Sequence, residues 1–123
     1  MISHIPYQYT DAGGFHQFGD IYLDAELENP RELGAIEDKL QDGEFFIPGQ
    51  LNLGIPELQS LNEGFPSDLD HVFHILHLYG FEVLPAAPEG ATVISAQAFK
   101  DSFAALAGPN SWDVVAAHHR LGL

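Results

Sequence analysis

Between residues 20 and 28 the chain alternates strictly. Ile21, Leu23, Ala25 and Leu27 interleave with Asp20, Tyr22, Asp24, Glu26 and Glu28. A period of two puts the apolar row on one face of a β-strand and an almost wholly acidic row on the other. The same period appears upstream, where Ile5, Tyr7 and Tyr9 alternate with Pro6, Gln8 and Thr10. Asp11-Ala12-Gly13-Gly14 supplies turn chemistry between the two runs. Residues 4 to 28 are therefore predicted to form a β-hairpin or two early strands.

Helical signals follow. Asn29-Pro30-Arg31-Glu32 has an N-cap, a proline at the first helical position and an acid in the capping-box place. Leu33, Ile36 and Leu40 continue at helical spacing, and Asp42-Gly43 ends the helix. Residues 44 to 66 read as a loop with a short buried strand at Phe45-Phe46-Ile47-Pro48, packed down by Phe46, Leu51, Leu53, Leu58 and Leu61. Ser67-Asp68-Leu69-Asp70 resembles another helix start, with Leu69, Val72, Phe73 and Leu76 at i, i+3, i+4 and i+7, so a helix is predicted over 68–79. A strand is the alternative, favoured by Val72, Phe73 and Ile75. Phe81 to Leu84 and Ala91 to Ile94 read as strands. Ser95 caps a helix bearing Phe99, Phe103 and Leu106, and Ser111 a last one through Trp112, Val115 and Leu121. Strands and helices mix without regular βαβ alternation, which predicts an α+β fold: an N-terminal hairpin and further short strands in a mostly antiparallel sheet, packed by three to four helices.

A chain of 123 residues with 46% hydrophobic content is expected to form a single domain, residues 1–123, with its own core. The absence of cysteine excludes a disulfide framework, a thiolate zinc site and a cysteine nucleophile. No basic-then-apolar leader and no membrane-length apolar run is visible, so a cytoplasmic location is expected and membrane association is not.

Charge sets the functional expectations. Eighteen acids against Arg31, Lys39, Lys100 and Arg120 give a formal charge of −14. Direct contact with nucleic acid or anionic lipid is disfavoured, because phosphates would find few cations. Ten of the acids fall between Asp11 and Glu44. On a strand, Asp20, Asp24, Glu26 and Glu28 would repel one another and be relieved by a basic protein surface. The plain alternative is the wet face of an antiparallel sheet.

A second constellation is Asp70, His71, His74 and His77. On a helix, Asp70, His74 and His77 would share a face and suit a divalent transition metal or acid/base work. The same stripe also fits the polar side of an amphipathic helix. On a strand, His71, Phe73, Ile75 and His77 would oppose Val72, His74 and Leu76, and the three-residue set would dissolve. No second ligand cluster is evident, so no cofactor is expected. His118-His119 reads as a solvated chain end.

The elements Tyr7-x-Tyr9-x-Asp11-Ala12-Gly13, Phe46-Ile47-Pro48-x-Gln50 and Asp70-His71-x-x-His74 stand in the order seen in a group of small uncharacterised bacterial proteins that the chain resembles over residues 7 to 77. The resemblance implies no activity. Where that group tends to place basic residues after the first tyrosines this chain has Thr10 and His16, and Ile75 stands where an acid is usual.

Three functions are thus expected in turn. The first is a non-enzymatic acidic binding protein, in the manner of immunity proteins or phage inhibitors of nucleic-acid-handling machines, with Asp20, Asp24, Glu26 and Glu28 facing a basic partner. The second is a small metal-dependent or acid/base enzyme using Asp70, His74 and His77. The third is a structural or regulatory homo-oligomer.

Overall fold

A computed structural model describes residues 1–27 and 29–123. It is an α+β fold, with three α-helices among the described residues and a mostly antiparallel sheet. Strands β1 (Ile2–Thr10) and β2 (His16–Leu23) form the predicted hairpin, in register from Ser3↔Leu23 to Thr10↔His16. Asp11 shapes its turn. One carboxylate oxygen accepts the N–H groups of Gly13 and Phe15 at 2.9 and 3.0 Å, while Gly14 takes a φ of +87° that suits glycine.

Strand β3 (Phe45–Phe46) pairs with β4 (His74–Leu76), and β4 pairs with the far half of β1 at Tyr7 and Gln8. Strand β5 (Glu82–Leu84) takes the near half of the same edge, at Ile2 to His4. Two short strands thus lie end to end along β1. Strand β6 (Val93–Ile94) adds to the outer side of β2 in parallel.

The odd-numbered residues of β1 point inward. Ser3, Ile5, Tyr7 and Tyr9 are buried, joined by Ile21 and Leu23 from β2. Helices α1 (Pro30–Glu37), α2 (Ala96–Ala104) and α3 (Val114–Leu121) contribute Leu33, Ile36, Phe99, Phe103 and Ala117 to the same core. The opposite row of the hairpin, from His4 to Thr10 and from His16 to Tyr22, stays open. Among the described residues, no helix is long and apolar enough to cross a membrane.

Several local expectations need correction. The 20–28 alternation does not run as one strand, because β2 ends at Leu23. Beyond it Ser3 takes over: its Oγ donates to Ala25 O at 2.9 Å and accepts from Leu27 N–H at 3.0 Å, so these backbone groups are satisfied without a ladder. Leu27 is buried but Ala25 is exposed. The helix expected over 68–79 is instead a turn followed by β4. Burial there follows a period of two, with Val72, His74 and Leu76 inside, because pairing with β1 and β3 overrides the helical spacing.

Smaller details differ as well. Asn29 caps α1 through Arg31 N–H, but Glu32 accepts from Lys100 Nζ at 3.0 Å and closes no capping box. Asp113, not Ser111, caps α3 by accepting from Ala116 N–H, while Ser111 Oγ donates to Gly108 O. Leu61 stands 63% exposed and does not pack its loop down.

Candidate functional site

The strand geometry separates Asp70, His74 and His77. His74 is enclosed by the rings of Tyr9, Tyr7 and Phe46, with centroids at 5.2, 6.0 and 6.2 Å. Its Nε2 accepts the Leu58 N–H at 2.9 Å, which places the ring proton on Nδ1. That nitrogen is buried without a well-formed partner. Burial holds the His74 pKa down to about 3, partly opposed by the Val72 carbonyl and reinforced by His71. The ring is a neutral fastener for the loop at Leu58.

Asp70 has a different setting. Its Oδ1 accepts from Tyr9 OH at 2.7 Å, and its Oδ2 from the N–H and Oγ of Ser67 at 2.9 and 3.1 Å. Burial and the adjacent carboxylate raise the Tyr9 pKa, so the phenol keeps its proton and continues to donate. The Tyr9 oxygen accepts from His71 N–H at 3.1 Å, and His71 Nε2 lies 2.7 Å from Thr10 O. His77 sits on the exposed side, where its Nε2 meets Gln8 Oε1 at 2.7 Å. Among the described residues no group of three or more histidines and acids is arranged to hold a metal ion.

The acidic row disperses too. Asp20 projects from β2 and meets His4. Asp24 lies past the end of that strand, where Oδ1 accepts from Ala96 N–H at the start of α2, at 2.8 Å. Glu26 is half-buried in the segment held by Ser3. Glu28 lies outside the described residues. Asp20, Asp24 and Glu26 do not share one strand face.

What the fold does bring together is a cleft of about 380 Å³ beside the hairpin turn, lined by Asp11, Phe15, Asn62, Glu63, Leu69 and Asp70, among others. Phe15 and Leu69 are exposed at 69% and 45%, so the rim is apolar. Asp11 and Asp70 hold their positions through the hydrogen bonds already described. Asn62 Oδ1 accepts from Gln17 Nε2 at 2.7 Å, whereas its Nδ2 is buried with no partner. Sequence reasoning missed this site as a unit: Asp11 stands in a recognisable turn, but Asp70 reads as part of a helix start and of a histidine cluster. Comparison with protein-family models, curated proteins and solved structures gives no match.

The protein's cations are largely committed elsewhere. Lys39 Nζ donates to Leu106 O, and Lys100 pairs with Glu32. Arg120 holds Glu57 through both oxygens, at 2.8 and 3.0 Å, directly above Gly49. These contacts fasten α1, α2 and α3 to their surroundings. They leave the acid excess of the surface without internal balance.

Proposed function

We propose that the protein is a non-enzymatic binding protein that engages a basic protein partner, in the manner of an inhibitor or immunity protein, and that the cleft beside the hairpin turn receives one of the partner's lysine or arginine side chains. The observation behind this reading is the cleft itself. It combines an apolar rim, suited to an aliphatic stem, with carboxylates suited to its charged head. Phe15 offers a ring face for cation–π contact. A formal charge of −14 draws in a basic surface and opposes pairing with a second copy.

The test is an NMR titration with short lysine- and arginine-containing peptides, using the lysine-acetylated peptide as control. Amide shifts are expected at Phe15, Glu63 and Leu69. Affinity is expected to fall about twofold to fivefold in Glu63→Gln, the effect of one solvent-exposed charge, and to fall with added salt. Shifts confined to Asp20, Asp24 and Glu26 would return the binding surface to the acidic row. Absence of binding, or equal binding of the acetylated peptide, would overturn the reading.

A further inference from the structure

His4 stands on the open row of β1 between carboxylates from both neighbouring strands. Its Nε2 lies 2.7 Å from Asp20 Oδ1 on β2, and its Nδ1 lies 2.8 Å from Glu82 Oε1 on β5. An ionised carboxylate can only accept a hydrogen bond. Both ring nitrogens must therefore donate, which only the imidazolium can do. The ring stacks on Tyr22 with centroids 5.0 Å apart and planes 20° apart, an arrangement that favours a cation.

Besides its backbone ladder to β1, strand β5 makes one side-chain hydrogen bond among the described residues, between Glu82 and His4. It is three residues long, with Glu82 and Val83 exposed and Leu84 only half-buried. Its ladder to β1 covers Ile2↔Leu84, Ser3↔Val83 and His4↔Glu82, so the Glu82 contact to His4 sits at one end of the pairing. We propose that His4 is a proton-operated clasp: as an imidazolium it pins β5 to β1 through Glu82 while braced on β2 by Asp20, and loss of its proton loosens β5 so that the β1 edge over residues 2 to 4 opens more often.

The electrostatics point the same way. Burial alone would lower the His4 pKa, but the hydrogen bonds and charges of Asp20 and Glu82 outweigh it and raise the value above 6.5. Asp20 from β2 and Glu82 from β5 are the charged groups acting on the ring, and Tyr22 from β2 is the titratable group stacked on it. A folded-state pKa above the unfolded one means that the clasp is fully closed below about pH 6.5 and is lost as pH rises through the folded value. Deprotonation then leaves one carboxylate facing a ring lone pair. This device is independent of any partner.

The test follows the His4 ring and the β1–β5 amides of the full chain by NMR across pH. His4 is expected to titrate above the usual histidine value. Hydrogen-exchange protection of the amides bonded between β1 and β5 should fall about twofold to fivefold through that midpoint, as for loss of one exposed ion pair. Protection in the β1–β2 ladder at Tyr7 and Tyr9 should hold, which excludes global unfolding. Glu82→Gln should lower the His4 midpoint and weaken β5 protection already at low pH. A His4 midpoint at or below about 6.5, or β5 protection unchanged through it, would overturn the clasp.

Discussion

The two faces of the sheet treat the same side chain in opposite ways. On the open face, His4 lies between two carboxylates and is favoured as a cation. On the covered face, His74 lies among three aromatic rings, accepts one backbone N–H and is held neutral. Each ring follows the direction of its pleat. A step of one residue along a strand exchanges water and carboxylates for an apolar core, and the direction in which an imidazole's pKa is shifted reverses with it. The consequence for stability is also opposite. His4 contributes at low pH and fades as pH rises, whereas His74 permits folding best above the unfolded histidine value and opposes it below.

The largest effects are expected on the covered face. His74→Ala should cost about 3–5 kcal/mol in urea unfolding, because it opens a cavity and leaves Leu58 N–H without an acceptor. His74→Phe fills the space but not the hydrogen bond, so about 1–3 kcal/mol is expected. The pH dependence tests the cause. With a folded pKa of about 3 against about 6.5 unfolded, the unfolded chain binds the proton more readily, and wild-type stability should fall as pH drops from 6.5 towards 3. At about 1.4 kcal/mol per unit, the loss amounts to several kcal/mol over that window. His74→Phe should flatten this slope. Parallel curves for wild type and His74→Phe would mean that the covered ring does not set the acid limit.

His74 also shows where the sequence misleads. In the 70–77 segment a polar residue occupies a core position, so the inward row Val72, His74, Leu76 does not look apolar, and the helical set Leu69, Val72, Phe73, Leu76 looks better. Burial of Val72, His74 and Leu76 settles the period as two, yet it depends on β1 and β3, which lie far away in the chain. The hairpin needed no such help. Ile5, Tyr7 and Tyr9 alternate plainly, and Asp11 with Gly14 makes the turn from local bonds. The same limit applies to the candidate site. Asp11 was readable as a turn residue and Asp70 only as part of a helix start, and their shared cleft arises only when residues 62 to 70 fold back beside the hairpin. The acidic row failed for a related reason, since Ser3 and the start of α2 capture the chain beyond Leu23.

An intermediate effect is expected where the covered face crosses from β1 to β2. Tyr7 is registered opposite Gly19, and its ring lies over the glycine while its OH donates to Pro56 O at 2.7 Å. A Cβ at Gly19 would run into that ring. Gly19→Ala should therefore cost about 1–3 kcal/mol, through displacement of a buried aromatic from its packed position. An unchanged urea midpoint would show that the inner face can repack more freely than its close contacts suggest.

The smallest effects distinguish two acids just past the end of β2. Asp24 accepts the Ala96 N–H, one of the unpaired donors at the start of α2, and its charge lies at the favourable end of that helix. Asp24→Ala should lower stability by about 1 kcal/mol despite removing a negative charge from an acidic protein. Glu26 makes no hydrogen bond among those of the described residues, and Glu26→Gln should lie within about 0.5 kcal/mol of wild type. Urea unfolding of the two variants side by side at neutral pH separates local bonding from general repulsion. If neutralising either acid stabilises the fold by a similar amount, repulsion along the acidic row outweighs the bond to α2, and residues 20 to 28 act electrostatically as the single stripe that their alternation suggests.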